Sequence, residues 1–303
     1  MKRRGEPVHG WVALDKPLGM SSTQAVARVR RLFNAEKAGH GGTLDPLATG
    51  LLPIALGEAT KTVQWAMDGR KVYRFTVKWG EERTTDDLEG EVSASSPLRP
   101  SQESIGSILS GFTGDIVQVP PAYSNIKVEG ERAYDLARAG TAAALAPRRV
   151  RVESLKLVAF EGETASFEVA CGKGTYVRAL ARDMGRRLGC LGHVTMLRRL
   201  AVGGLGEDHM IPLAKLEELS HKAPGENAME GVLLPIATVL DGIPALAVDE
   251  RQAQRLRQGQ PVLLRGANDP IVADAVLVTW AGKALGIAAV EQGTLKPKRL
   301  FNL

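Results

Sequence analysis

Aromatic residues are scarce in this 303-residue chain, at 5%, so each Trp and Tyr narrows the possibilities more than usual. Cysteine is nearly absent. Cys171 and Cys190 stand alone, in neither a CxxC nor a paired metal spacing; this excludes a disulfide framework and fits a reducing compartment. The five histidines are scattered, with no HxxxH or HxH pair, so no metal site is expected. No apolar run approaches the roughly 20 residues that span a membrane. The basic start, Met1-Lys-Arg-Arg-Gly-Glu6, is followed by Val8 to Leu14, too short and too interrupted for a signal peptide. The cytoplasm is the expected location. Internal repeats and low-complexity tracts are also missing.

What is present is ordinary for a soluble globular protein: 44% hydrophobic and 24% charged residues. The length suits one large domain and one small one. Net charge is +5 with a pI near 9.2. Such an excess fits a polyanionic partner and, equally, a solvated basic surface.

Gly10 to Leu14 reads as a short buried strand, broken by Asp15-Lys-Pro-Leu-Gly19. A helix is expected from Ser22 to Phe33, with Ser21 and Gln24 at capping-box spacing and Val26, Val29 and Phe33 as its buried stripe. Residues 39–50, GHGGTLDPLATG, read as a long loop with four glycines. A second helix spans Glu58 to Met67. Lys71 to Trp79 alternates, with Tyr73, Phe75, Val77 and Trp79 on one face. Residues 81–90 read as a polar loop and Gln102 to Gly111 as a helix. Val117–Val119 and Tyr123–Val128 read as strands, and Ala133–Arg138 as a short helix. Strands at 149–160 and 164–171 follow, then a helix from near Thr175. The polar stretch 218–231 marks a boundary or exposed insertion. Beyond it, one helix (Asp249–Gln258) and strands near 261–264, 271–280 and 285–290 form a small mostly-β unit. The expected class is α+β: a mixed sheet with flanking helices and a β appendage. The division is 1–232 and 233–303.

Two stretches carry chemistry. In the loop, Gly39, Gly41 and Gly42 permit close backbone approach, and Pro46 pushes Asp45 toward extended geometry. The result is one fixed carboxylate, or else a plain Asp-Pro turn; no GK[ST] follows that would make a phosphate loop. In the helix after Gly172-Lys-Gly-Thr-Tyr-Val-Arg178, apolar Val177, Leu180, Ala181, Met184 and Leu188 share a face. Arg178, Arg182 and Arg186 recur one turn apart. Lys173 to Arg199 holds seven Lys/Arg and one acid, Asp183. Such a stripe can track a phosphate backbone or form a solvated face. Like charges at i+4 cost a few tenths of a kcal/mol without a partner, which favours RNA.

Lys16-Pro17 with Gly19 and Ser21-Ser22, GHGGTLDPLATGLLPIALGEATK (39–61), YSNIK (123–127), GKGTYVRALARDMG (172–185) and HVTMLRRL (193–200) together resemble the TruB family, transfer RNA pseudouridine-55 synthases. The likeness runs in order from about residue 9 to 212, and the last 60 or so residues resemble a PUA RNA-binding module. The resemblance implies a pseudouridine synthase core and an isomerase that needs neither cofactor nor metal. Its partner is the T stem-loop of transfer RNA; nothing in the sequence suggests an obligate oligomer, and a monomer is expected. It places Asp45 as the catalytic aspartate and Tyr73 as the tyrosine that stacks on the extruded base, a candidate for proton transfer. Arg178 becomes the arginine paired with the carboxylate. Tyr176 and Leu197 line the base pocket, His40 occupies the place vacated by flipped nucleotides, and Lys16 belongs to the KP motif. The family's Thr-x-Thr-x-Asp loop reads Arg83-Thr-Thr-Asp-Asp87 here, and spacing to Gly90 selects Asp87 over Asp86 as partner of Arg178.

The chemistry agrees. The reaction breaks N1–C1′ of uridine, turns the base and rejoins it through C5, and a carboxylate can stabilise or attack an oxocarbenium-like C1′. Extruding the base costs a few kcal/mol, and stacking on one aromatic returns about 1–3 kcal/mol. Residue chemistry alone leaves Tyr73 open as plain core. The rival functions are an RNA-binding or RNA-folding protein without chemistry, and a guide-RNA-dependent relative with protein partners.

Overall fold

The computed structural model describes residues 5–124, 126–128, 131–132, 145–221, 229–266 and 269–303. Its spine is the strand expected at 71–79, which forms over those residues. In chain order the elements begin β1 (Gly10–Lys16), α1 (Ser22–Leu32), β2 (Ala38–His40), β3 (Ala48–Leu56), α2 (Val63–Asp68), β4 (Lys71–Trp79), β5 (Glu81–Arg83) and β6 (Val92–Ser95). Next come α3 (Gln102–Ile108), β7 (Gly114–Gln118), β8 (Lys127–Val128), β9 (Glu131–Arg132), β10 (Arg148–Phe160), β11 (Thr164–Cys171), α4 (Val177–Arg187) and β12 (Gly192–Val202). The chain closes with β13 (Ile211–Pro212), α5 (Leu213–Ser220), β14 (Ala245–Ala247), α6 (Glu250–Arg257), β15 (Val262–Leu263), β16 (Ala273–Trp280), β17 (Lys283–Glu291) and β18 (Thr294–Leu300). The expected helix at 133–138 lies outside the described residues, as do residues 222–228 of the 218–231 stretch.

The large sheet runs β13-β1-β3-β12-β4-β11-β10-β7, with β2 added on β3. It is mixed: β12 pairs parallel with β3 and antiparallel with β4. Phe75 and Phe167, paired across β4 and β11, stack with centroids 5.3 Å apart. The apolar face of α4 (Val177, Leu180, Ala181, Met184) buries against this layer. On the other half of the sheet, Ala25 and Val29 of α1 pack against Val12, Leu14, Leu52 and Ile54. The expected capping box is present: the Gln24 amide donates to Ser21 Oγ at 3.2 Å, and the Ser21 amide to Gln24 Oε1 at 2.9 Å.

Several expectations need correction. The 39–50 loop shrinks to 41–47, because β2 and β3 take its ends. β3 is covered on both faces, so its sequence is a continuous apolar run without alternation. The expected helix at 58–67 is a 3-10 turn over Gly57–Thr62 followed by α2. Thr60 and Thr62 hydroxyls donate to the carbonyls three residues back and tighten that turn. The strand expected at Tyr123–Val128 forms only at Lys127–Val128. The polar loop 81–90 is part hairpin, β5 with β6, and its middle residues Thr85, Asp86 and Asp87 are buried.

The C-terminal strands form a separate five-stranded sheet, β14-β16-β17-β18-β15, with α6 capped by Asp249. β12, β14 and β18 are additions to the expected strands. Leu277, Ile287 and Phe301 of this unit share one apolar cluster with Trp11, Leu51 and Ala55 of the large sheet. Class and layout are the expected α+β. Among the described residues no helix is long and apolar enough to cross a membrane.

Candidate active site

The residues that end up around Asp45 come from several elements, and hydrogen bonds from side chains and backbone fix nearly every peptide of its loop. Gly41 donates to Pro53 O at 2.8 Å. Arg199 from β12 donates to Gly42 O at 3.0 Å, Thr43 O at 3.3 Å and Leu51 O at 2.7 Å. Ser22 Oγ, at the start of α1, both donates to Leu44 O and accepts from the Leu44 amide. Ala48 closes on Asp45 O, and Pro46 O accepts from the Gly19 amide and from Lys16 Nζ at 3.3 Å. The loop therefore presents the Asp45 carboxylate from a rigid frame, with its side chain 37% exposed.

Arg178, in the first turn of α4, meets it. Its Nε lies 3.0 Å from Asp45 Oδ2 and 3.5 Å from Asp87 Oδ2. Nη1 donates to Thr85 O at 2.8 Å and Nη2 to Tyr123 O at 2.9 Å. The guanidinium thus does not grip Asp45 as a two-pronged fork. It is suited to the place because its donors address four groups in a fixed plane, which an ammonium does not. Burial pulls the Arg178 pKa down, but Asp45, Asp87 and Asp86 outweigh it and leave it above the ordinary value. Asp87 Oδ1 in turn accepts from Thr85 Oγ1 at 2.5 Å and the Glu89 amide at 3.0 Å.

A cleft opens over this pair, lined by Asp45, Leu47, Ala48, Asp87, Arg178 and residues 194–197 of β12. Leu197 reaches it because β12 lies between β3 and β4, paired with Ala48 and Phe75. A larger groove runs beside Pro17–Met20 and α1, where the ion pair is the partly exposed Arg28–Glu217. The carboxylate–guanidinium chemistry belongs to the smaller cleft.

Two tyrosines stand close by. Tyr73 on β4 packs between both core clusters. Burial raises its pKa, with the Arg199 guanidinium opposing, so the phenol keeps its proton at neutral pH. Tyr176 is the N-cap of α4, held by a backbone pair with the Gln118 amide group at 3.1 and 3.3 Å. Burial raises its pKa as well, and Ser124 lowers it. Asp45 acts electrostatically on both phenols.

Lys16 and His40 do not line the cleft. Lys16 is fully buried, and its Nζ donates to Pro17 O, Met20 O and Pro46 O. It organises the loop rather than offering a charge to a ligand. Burial lowers its pKa to about 8, with Asp45 opposing. Half-buried His40 accepts from the Gly42 amide on Nδ1 at 3.3 Å; burial and Arg199 keep it neutral.

The basic stripe is not a phosphate track. Arg178 and Arg182 are buried against Asp45, Asp87, Asp86 and Asp183, and Arg186 holds Glu82 through two bonds. Apart from Asp183, its partners are far off in sequence, Asp45 and three acids of the 81–90 loop, which is why the stripe reads as unneutralised.

Residues 30–177 match the family described as TruB family pseudouridylate synthase (N terminal domain). Residues 178–241 match the tRNA pseudouridylate synthase B C-terminal domain, and 244–301 match Pseudouridine synthase II TruB, C-terminal. The tRNA pseudouridine synthase B of Bradyrhizobium diazoefficiens is 59% identical over 305 residues, covering 100% of this chain and 88% of that protein. The Brucella melitensis protein of the same name is 51% identical, covering 99% and 98%. The chain belongs to the TruB family. Among solved structures, a Cbf5-Nop10-Gar1 complex superimposes with a TM-score of 0.75 over 96% of this chain and 84% of that one, at 23% identity. An H/ACA RNP bound to a substrate RNA containing 2'-deoxyuridine gives 0.77 over 97% and 86%, at 22% identity. These two share the fold. As a TruB-family protein the chain is an isomerase of the pseudouridine synthase type, and its substrate is RNA.

Sequence reasoning missed four contributors to this TruB site: Ser22, Thr85, Arg199 and the Arg182–Asp86 pair. The available signal for Arg199 was a charged residue inside an apolar strand, Leu197-Arg-Arg-Leu200; it is 1% exposed and holds three carbonyls.

Proposed function

We propose that the chain converts one uridine in the T stem-loop of transfer RNA, position 55, to pseudouridine, with Asp45 as the catalytic carboxylate. The observation that carries this is the Asp45–Arg178 pair at 3.0 Å, set at the mouth of a cleft with apolar walls. Burial tends to protonate a carboxylate, and an adjacent permanent cation opposes that. Arg178 sets that permanent cation 3.0 Å from Asp45, where C1′ of the ribose arrives. The N1–C1′ bond breaks with charge developing at C1′, which Asp45 either stabilises or captures covalently. The base turns, C5 bonds to C1′, and the C5 proton leaves.

The remaining residues take supporting roles. Tyr73 stacks on the extruded uracil, while Leu197 and Tyr176 bound its pocket. Asp87 orients Arg178, Lys16 fixes the loop through Pro46, and His40 occupies the space left by flipped nucleotides. The chain acts as a monomer in the cytoplasm. Residues 1–232 form the synthase domain, and 233–303 form a PUA-like unit that adds affinity through phosphate contacts.

The test uses an unmodified transfer RNA transcript with wild-type protein and with Asp45→Asn. Pseudouridine is mapped by carbodiimide labelling and primer extension. A single stop in the T-loop is expected with wild type and none with the variant, whose RNA binding is retained. Equal stops with both proteins would rule Asp45 out.

A further inference from the structure

Arg178 has a near-duplicate one helical turn along α4. Arg182 has a side chain 9% exposed, and its Nη1 lies 2.9 Å from Asp86 Oδ2. Its Nη2 donates to Val119 O at 2.8 Å and its Nε to Asp183 Oδ1 at 2.9 Å. Both arginines bind the 85–87 loop with one edge and a carbonyl of the 119–123 segment with the other. Between them Asp86 takes φ +62°, a left-handed conformation uncommon outside glycine and tolerated by Asp and Asn. Adjacent carboxylates consequently separate, Asp87 to Arg178 and Asp86 to Arg182. Asp86 O also accepts from the Val194 amide at 3.0 Å, where β12 enters the cleft wall.

We infer that Arg182, through Asp86, is a second positioning arginine of the site: it sets the 85–87 loop and so the angle at which Arg178 meets Asp45. This rests on the proposed uridine chemistry. Stability does not account for the pair, since a buried ion pair is often replaced by apolar groups at no cost. Burial pushes the Asp86 carboxyl up to about 6 despite Arg182, so its ionised form is held there at some expense. The geometry supplies what the energetics do not. Without Arg182, the Asp86 carboxylate loses its hydrogen-bonded cation, and the loop strained at Asp86 is left to its backbone bonds and to Arg178 itself. Thr85 O and Asp87 then shift together, and Arg178 follows them.

The test is the double variant Arg182→Met/Asp86→Asn. Asn keeps the left-handed backbone, and Met fills the stem of the arginine. Single-turnover conversion of a transfer RNA transcript is measured at saturating protein, beside binding affinity and thermal unfolding. The expected result is a rate about 10- to 100-fold lower, the size of effect that misplacing a reacting group by about 1 Å produces. Affinity stays within about twofold and the unfolding midpoint close to wild type. A rate within twofold of wild type would overturn the inference. Should the double variant fail to fold, Arg182→Lys carries the test: it keeps the charge for Asp86 but loses the planar contacts to Val119 and Asp183. A lowered rate with unchanged affinity then supports positioning, and an unchanged rate overturns it. Wild-type protein that makes no pseudouridine would instead remove the reading beneath.

Discussion

At Asp45 two demands conflict. The carboxylate has to remain charged, which favours water, and it has to meet a ribose carbon in a dry cleft, which does not. The fold answers by placing one arginine, itself buried, within 3.0 Å and by pinning the loop at its carbonyls. Arg178→Lys should accordingly cut the single-turnover rate by 100-fold or more, by about the 10²–10³ seen when a preorganised donor is lost, and leave RNA affinity nearly intact. An equal fall in both would contradict the role. Lys16 gives a pH signature. Its pKa is about 8 in the folded protein and 10.5 in the unfolded chain. Between those values the unfolded chain binds more protons, so stability contributed at Lys16 rises with pH. Urea titrations at pH 7.5 and 9.5 should show wild type gaining on Lys16→Met by on the order of 2 kcal/mol. A constant difference would mean that burial does not depress the Lys16 pKa and that the ammonium stays charged in the folded frame.

Among the elements, those that the sequence made legible are the ones half-exposed to water. β4 alternates because one face is buried and the other is not, and α1 and α4 show their apolar stripes and, in α1, the cap. β3 and β12 were not legible as strands. β3 is buried on both faces, and β12 carries Arg198 and Arg199 among its apolar residues. The 81–90 loop was misread for the same reason as the arginine stripe: acids and bases that neutralise each other, Asp87 with Arg178 and Asp86 with Arg182, are far apart in the chain. Close approach of α4 to β12 depends on Gly185, where an added Cβ would collide with the Gly192 nitrogen and the Leu191 carbonyl carbon. Both are backbone atoms and have no way to rotate aside. Gly185→Ala should therefore lower stability by about 2 kcal/mol or more despite better helix propensity, as read from denaturant midpoints. A stabilised variant would show that α4 does not set the spacing.

For the whole molecule, the +5 charge must meet RNA somewhere other than the α4 stripe. Arg255 of α6, Arg265 beyond β15, and Lys298 and Arg299 of β18 are exposed and open to such a contact. Affinity for transfer RNA should fall steeply with salt as counterions are released. Arg186→Gln should leave that slope unchanged, since Glu82 already neutralises Arg186. A slope reduced by about one would restore the helix as a phosphate contact. Fold class, the Asp45 loop and the small β unit were all within reach of sequence reasoning, whereas the partners of each arginine required the folded chain.

The central claim is that Asp45 does the chemistry. Its most direct test is tritium release from C5 of uridine in a labelled transfer RNA transcript, under single-turnover conditions with no added cofactor. Wild type should release the label of one uridine per RNA, and Asp45→Asn should release none while binding the RNA as tightly. Release by Asp45→Asn at the wild-type rate would contradict the account.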